Sequence, residues 1–297
     1  MMMALAATPD LTKLQYKVTG LITRWFQINE SEIHDFEFLA TSERSLVFQF
    51  RIQEQQQQYC LRWNLTKTKT NWLNEYYYLT AAGLNADYAY FDVETGNYIK
   101  KKWPGEPIQL SMMTPELWEQ LLQTLAQFQN QELVQKHQFN YTPYNLYLNH
   151  NTQLDSEDLE LFVQIGELNK TLPVVLAHNS LDLANILYDP ATGMRFIDFE
   201  WVGLNNPYFD LAHLIFSSEL DAQMVPALCA KFNEYSFYKL NVELLWLFVY
   251  FAASLGYQWA NHYEMLHGPG SMLDYKIKSY RAMQNLKKEH KFQRYLK

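Results

Sequence analysis

The sequence predicts an α+β protein in two parts: a small β-rich N-terminal lobe over residues 1–103 and a large, mainly helical C-terminal lobe over residues 104–297. Three features predict this plan. Between residues 36 and 103 the apolar residues come in short, alternating runs bounded by turn formers, the pattern of half-buried strands. From Thr114 onward the apolar period lengthens to that of helices, interrupted by one group of short apolar runs over residues 172–201. The two regimes meet at Trp103-Pro104-Gly105, where proline and glycine end both patterns.

Taken in order, residues 11–26 place Leu14, Val18, Leu21, Ile22 and Trp25 at a helical period. Leu46, Phe48, Phe50 and Ile52 then alternate with Gln49 and Arg51, which predicts a strand. A polar turn over residues 53–58 leads to a return strand at 59–63, so the lobe opens with an antiparallel sheet. Residues 71–79 read as a helix whose apolar face is Trp72, Leu73, Tyr76 and Leu79. Residues 88–91 and 98–103 are two further strands around a Glu94-Thr95-Gly96-Asn97 turn.

In the second part, Thr114 caps a helix, Pro115 fits its first turn, and Leu117, Leu121, Leu122, Leu125 and Phe128 share one face. Residues 141–148 read as loop and 156–168 as a helix. Residues 172–177 predict a buried strand and 178–185 a polar loop. Residues 186–188 and 194–197 predict a hairpin around Asp189-Pro190-Ala191-Thr192-Gly193, its second strand running into Asp198. Helices are expected over 207–217, 222–235, 242–261 and 274–286.

A chain of 297 residues that is 48% hydrophobic can bury a large core, as one large or two modest domains. The formal net charge of -8 disfavours a nucleic-acid partner and suits a cationic small molecule. Cys60 and Cys229 form no ligand spacing and read as inert buried thiols of a reducing cytoplasm. The first ten residues lack the basic flank and apolar run of a signal peptide. The most apolar segment, 244–255, is too short to span a bilayer, so no membrane insertion is expected. Nothing in the sequence sets the oligomeric state.

The chemistry gathers at the hairpin. Asn185 precedes its first strand and Asp198 follows its second, so one hairpin holds an amide near a carboxylate. Oxygen ligands brought together in this way suit Mg²⁺, a hard cation commonly shared with nucleotide phosphates. The full string is His178-Asn179-Ser180-Leu181-Asp182-Leu183-Ala184-Asn185-Ile186-Leu187. Ile197-Asp198-Phe199-Glu200-Trp201-Val202-Gly203-Leu204-Asn205 follows, and then Phe209-Asp210-Leu211-Ala212.

These three ordered blocks resemble the choline/ethanolamine kinase family, a branch of the aminoglycoside-phosphotransferase-like kinases. The resemblance covers about residues 35–285 and is strongest over 176–216. It implies a bilobal protein-kinase-like fold, the first lobe binding nucleotide and the second carrying catalysis and substrate. It implies ATP and Mg²⁺ as cofactors, with Asn185 and Asp198 as metal ligands and Glu200 assisting. By the same resemblance His178 orients the loop and Asp210 hydrogen-bonds its backbone.

In the first lobe the resemblance makes residues 39–45 the loop over the nucleotide phosphates, with Thr41 and Ser42 in place of two glycines and Ser45 in place of an Asn. Hydroxyls of Ser42 and Ser45 would stand in for closely approaching backbone N–H groups; an ordinary polar hairpin is the other reading. Arg62 takes the position of the basic residue that pairs the phosphates and a helix carboxylate, here Glu75. On spacing alone the two would be an exposed charge pair. The adenine would lie against the connector at Trp103-Pro104-Gly105.

One departure matters. Ser180 stands where the family has its catalytic Asp, and a serine hydroxyl is no base near neutral pH. Asp182 is the nearest carboxylate in sequence, but on an unchanged backbone it would point elsewhere. On the substrate side, Trp246, Tyr250, Tyr257, Trp259, Tyr263, Tyr275 and Tyr280 crowd the last two helices. By resemblance Tyr257, Trp259 and Tyr275 wall a choline pocket that holds a quaternary ammonium by cation–π attraction. The alternative is that these rings are core. Glu219 or Glu243 would add attraction for a cation, with nothing to select one. The resemblance thus implies phosphoryl transfer from ATP to the hydroxyl of a small amino alcohol, choline or ethanolamine, with thiamine or an aminoglycoside still open. The reading from another class is an inactive relative that binds nucleotide or amino alcohol without turnover.

Overall fold

A computed structural model describes residues 11–41, 45–53, 55–65, 72–132, 153–290 and 292. Ser42, Asn71 and the loop expected at 141–148 lie outside the described residues. The chain divides into two compact units, Met1–Trp103 and Pro104–Lys297.

The first unit is a five-stranded antiparallel sheet in the order β1-β2-β3-β5-β4, formed by Ile33–Thr41, Ser45–Ile52, Gln58–Asn64, Tyr88–Phe91 and Tyr98–Lys101. Period-two side chains give it two faces. Leu46, Phe48, Phe50 and Ile52 of β2 join Leu61 and Ile99 in one core with Leu14, Val18 and Ile22 of helix α1, Leu11–Phe26. The opposite face presents Arg62, paired in register with Val47 and Tyr98, toward helix α2, Trp72–Ala81.

The burial of α2 differs from its apolar pattern. Leu73 is 59% exposed and Tyr76 37%, whereas Trp72, Glu75, Tyr78 and Leu79 are buried. The reason is Arg62: a guanidinium inside the sheet face draws the Glu75 carboxylate inward and turns the helix around it. Gly96 completes this corner. Its carbonyl accepts from Arg62 Nε and Nη2 at 3.1 and 3.0 Å, at φ +68°. A Cβ there would run into the Trp72 ring and the Asn64 amide. Gly96→Ala is therefore expected to destabilise by about 2–4 kcal/mol, left-handed strain plus overpacking. Gly83→Ala is the control, since Gly83 has φ +70° but open space around it and should lose only the strain part. Equal urea midpoints for the two variants would contradict the packing account.

In the second unit, α3 spans Pro115–Gln129, with Thr114 Oγ1 accepting from Leu117 N, and α4 spans Ser156–Asn169, capped by Asp155. Strand β7 is only Val175–Ala177. The apolar run begins earlier, but Pro173 has no N–H to pair and Val174 is 54% exposed. Two pairings were not legible beforehand: β6, Glu106–Pro107, joins the hairpin of β8, Ile186–Asp189, and β9, Gly193–Phe196, while β10, Gly203–Asn205, pairs β7. Strand β9 stops at Phe196, two residues short of Asp198. Helices α5 (Phe209–Ser217), α6 (Val225–Tyr235), α7 (Val242–His267) and α8 (Leu273–Glu289) complete the unit.

A buried carboxylate pins three of these helices. Asp158 of α4 accepts from Tyr250 Oη of α7 at 2.7 Å and from Gln284 Nε2 of α8 at 3.2 Å, and Lys287 Nζ of α8 lies 2.6 Å from it. Burial, then the Asp158 contact, pushes the Tyr250 phenol far above its ordinary value. Tyr250 is thus a core residue, and Trp246, stacked on His290 at 5.1 Å, is another. Both cysteines are free; Cys229 is buried, but Cys60 is half-buried with Lys100 and Lys102 near it. Among the described residues no helix is long and apolar enough to cross a membrane.

Candidate active site

The loop between β7 and β8 is held from below by Asp210, on the first turn of α5. Its Oδ2 accepts from His178 N at 2.9 Å and from Gln129 Nε2 at 3.3 Å, and its Oδ1 from Asn179 N at 2.8 Å. One fully buried carboxylate thereby occupies two consecutive backbone donors and fixes the loop's entry. Three residues on, His213 Nδ1 meets the Leu181 carbonyl at 2.9 Å, so adjacent positions on α5 hold both halves of the loop. Burial holds the His213 imidazole below its ordinary value despite that carbonyl and the nearby Asp182 and Asp210, which keeps it neutral.

Asn179 makes the tight turn at φ +66°. Its Nδ2 donates to Trp201 O at 3.0 Å and its Oδ1 accepts from Asn205 Nδ2 at 2.8 Å. Asn206 continues this chain of amides to Asn169 at 2.8 Å. His178 is fully buried, its Nε2 donating to Ile197 O at 2.8 Å and its ring against Phe199 and Phe196. An imidazole sealed from solvent in this way orients the chain and has no route to carry a proton.

Asn185 is tied three ways. Its N–H donates to Asp182 Oδ1 at 3.0 Å, its Nδ2 to Ser180 O at 2.9 Å, and its carbonyl accepts from Ile197 N at 2.9 Å. The side-chain amide is thus oriented by its nitrogen, and its oxygen is the atom that could ligate a cation. The Ile197 bond brings Asn185 to the same end of the hairpin as Asp198. Asp198 itself takes φ +63°, ψ +60°, a conformation Asp tolerates better than most residues, and its carboxylate is exposed. Glu200 sits half-buried in the 3₁₀ turn that follows, Phe199–Trp201.

Among the described residues no three His, Cys, Asp or Glu side chains gather into a metal cage. An amide oxygen and one or two carboxylates are instead the sparse set that Mg²⁺ accepts when phosphate oxygens and water complete its shell. The residues fit that ion. Ser180 is half-buried with its carbonyl held by Asn185 Nδ2, and Asp182 caps the Leu183–Asn185 turn through one carboxylate oxygen.

In the first unit, Arg62 and Glu75 form a buried pair rather than an exposed one, Nη2 donating to Oε2 at 2.6 Å with both residues 2% exposed. The guanidinium lies 4.3 Å from the Tyr98 ring centre and 4.8 Å from that of Trp72. Burial is the largest influence and opposes its charge, but Glu75, Tyr98 and Tyr88 together outweigh it and hold its pKa above the ordinary value. Nη1 is buried without a hydrogen-bond partner among the described residues, a donor on a fixed cation that suits an anionic group such as a phosphate. Ser45 belongs to β2, paired opposite Asn64 and buried, rather than to the hairpin tip.

Of the aromatic residues, Trp259 and Tyr275 come together at 5.5 Å between ring centres, edge to face, with Tyr263 5.6 Å from Trp259. Tyr257 turns instead to Tyr280, at 5.7 Å, because positions two apart on α7 point to different sides. Glu219 is paired with Lys278 at 3.1 Å, and Glu243 lies 3.9 Å from His290. Gln129, His213, Asn169 and Asn206 were missed by sequence reasoning, and Asn205 was seen only as part of a motif; single polar residues on apolar helices and loops carry no periodic signal.

A family model described as the phosphotransferase enzyme family matches residues 79–240, more than half of the chain. A Mycoplasma pneumoniae protein called an uncharacterized MG356 homolog is 28% identical over 201 residues, 64% of this chain and 63% of its own length. The chain thus spans less than two thirds of that relative. Among solved structures, the choline kinase LicA of Streptococcus pneumoniae superposes with a TM-score of 0.71 at 16% identity, over 93% of this chain and 99% of that one. The Plasmodium vivax ethanolamine kinase gives 0.72 at 12% identity, over 94% and 91%. At such identities the likeness establishes the fold: an α+β, protein-kinase-like arrangement with a β-rich first part and a helical second part.

Proposed function

The chain belongs to the phosphotransferase enzyme family, and on that premise we propose that it transfers the terminal phosphoryl group of ATP to the hydroxyl of a small amino alcohol, of which choline and ethanolamine are the simplest. The observation that carries this reading is the fixed pair on the hairpin: the Asn185 side chain oriented through Ser180 O, with the exposed Asp198 at the same end. LicA, one of the similar folds, has also been crystallised with AMP, which supports a nucleotide.

Phosphoryl transfer asks chiefly for positioning and charge neutralisation. Asn185 and Asp198 would hold Mg²⁺, with Glu200 beside them; when bound, the ion neutralises phosphate oxygens. In the first unit, which we assign to nucleotide, Arg62 would turn its buried Nη1 to phosphate while Glu75 keeps the guanidinium in place, and Ser42 and Ser45 would supply hydroxyls as the motif implies. The second unit carries catalysis and substrate. Ser180 would hydrogen-bond the acceptor hydroxyl without serving as its base. Trp259 and Tyr275 would face the cationic nitrogen, an attraction of up to about 2 kcal/mol per ring when desolvated; Tyr257, turned to Tyr280, contributes less. The second reading, a relative that binds without turnover, is favoured by one observation: Asp182, the nearest carboxylate in sequence to Ser180, is engaged as the cap of the next turn.

The test is a phosphotransfer assay with Mg-ATP against choline, ethanolamine and a neutral isosteric alcohol, paired with melting curves. Mg-ATP at a hundredfold excess over its dissociation constant is expected to stabilise the protein by about 2.7 kcal/mol. Asp198→Asn is expected to remove most of that gain. Absence of any melting shift at millimolar Mg-ATP would count against nucleotide binding and the kinase reading together.

A further inference from the structure

The last turn of α3 is anchored on both sides of one buried glutamine. Phe128 packs on Phe196 and Phe199, at 5.9 and 6.0 Å between ring centres, and these are the two rings that flank His178. Asn130 caps the helix, donates from Nδ2 to Tyr235 O at 3.0 Å and accepts at Oδ1 from Phe237 N at 3.0 Å. Gln129 lies between them and is 1% exposed, so its side chain starts from a backbone that both neighbours hold. Its Nε2 donates to Asp210 Oδ2 at 3.3 Å, the oxygen that also accepts from His178 N. Its Oε1 is shut off from solvent and has no hydrogen-bond partner among the described residues.

That bare oxygen makes glutamine an unfavourable residue here as far as stability goes. An unmade hydrogen bond in the interior forfeits hydration with nothing in return. Turning the amide over would set Oε1 against the Asp210 carboxylate, acceptor to acceptor. An apolar side chain of similar size fills the same space and leaves no acceptor bare. What the amide supplies, and an apolar residue lacks, is one N–H for Asp210. Among the described residues that carboxylate takes its hydrogen bonds from His178 N, Asn179 N and Gln129 Nε2. The first two belong to the loop that Asp210 has to hold. Gln129 is the donor from outside the loop, and it ties Asp210 to a fixed helix end.

We propose that Gln129 is a positioning residue for the phosphoryl transfer. It holds the Asp210 carboxylate in the orientation that sets His178 and Asn179, and through them the adjoining Ser180. The proposal rests on the phosphotransfer reading above. A residue retained for the fold alone adds to stability; one retained for placement adds to rate.

Gln129→Met and Gln129→His are compared with the unmodified chain by thermal melting and by steady-state transfer from Mg-ATP to choline or ethanolamine. Gln129→Met removes the donor and the bare acceptor together. It is expected to melt no lower than the unmodified chain, while kcat falls about tenfold, since a misplacement of about 1 Å costs that much or more. KM for Mg-ATP is expected to change far less, because the bonds that hold Asn185 do not involve Gln129. Gln129→His keeps an N–H donor and is expected to hold kcat within about threefold of the unmodified chain. A Gln129→Met variant with unchanged kcat, or one that loses stability and kcat in step, overturns the proposal and leaves Gln129 a core residue; transfer by the unmodified chain then keeps the kinase reading standing. Where the unmodified chain turns over too slowly to measure, the same comparison is made in the Ser180→Asp background. If that background also transfers to neither alcohol, the proposal and the phosphotransfer reading fall together.

Discussion

Ser180→Asp is expected to raise kcat by at least roughly tenfold, with little change in nucleotide affinity. A positioned general base contributes about 10²- to 10⁴-fold in rate, and the tenfold figure is deliberately below that range. The surroundings favour the exchange. Ser180 O is held by Asn185 Nδ2 at 2.9 Å, and the loop's entry is fixed by Asp210, so a new carboxylate would emerge from a backbone already set. The metal ligands proposed at Asn185 and Asp198 do not change. Single-turnover and steady-state rates with Mg-ATP and a responsive alcohol measure the gain. If Asp182 were already the base, Asp182→Asn would abolish the activity of the unmodified chain and Ser180→Asp would add little. Asp182 Oδ1 accepts from Asn185 N at 3.0 Å, a cap that an asparagine oxygen keeps, so the expected effect of Asp182→Asn is instead little change in Mg-ATP binding or activity. If Ser180→Asp binds Mg-ATP yet turns over no alcohol, the binding-only reading prevails.

Arg62→Leu is expected to cost about 3–5 kcal/mol of stability, the range for removing one partner of a buried ion pair. Glu75 would then lie 2% exposed without its cation, and the Gly96 carbonyl would lose two donors at once. Urea unfolding followed by tryptophan fluorescence reads this directly, since Trp72 packs on the guanidinium at 4.8 Å. The double variant Arg62→Leu with Glu75→Leu should recover a large part of the loss, because two apolar residues leave no orphaned charge. A double variant as unstable as the single one would show that the loss comes from packing of the rings and not from the charge.

Strong periodicity made most of the fold legible. The β2 alternation of Leu46, Phe48, Phe50 and Ile52 names the buried face, and helix α1 runs from Leu11 to Phe26 as its apolar spacing predicts. What escaped was set by partners far away in sequence. The buried side of α2 followed Arg62 rather than the helix's own apolar residues, and β10 found β7 without any alternation to announce it. At the candidate site the motif located the loop, Asn185 and Asp198, and with them the role of Asp210 as a backbone anchor. It gave no sign of His213, Asn169 or Asn206, because a lone polar residue acquires meaning only from what folding brings beside it. The aromatic cluster was legible as composition and not as geometry: Trp259 and Tyr275 meet, while Tyr257 turns to Tyr280.

The carboxylate of Asp158 has a bearing on how the chain is made. Its hydroxyl donor on Tyr250 follows it by 92 residues and its amide donor on Gln284 by 126. While the chain emerges from the ribosome, α4 therefore exists for a long interval before the groups that neutralise and bond its acidic residue have been synthesised. Contacts between segments so distant in sequence form late and slow folding. The helical unit closes only when its last long helix arrives, and until then α4 presents both an unmatched charge and the ring of Phe162 that later stacks on Phe251.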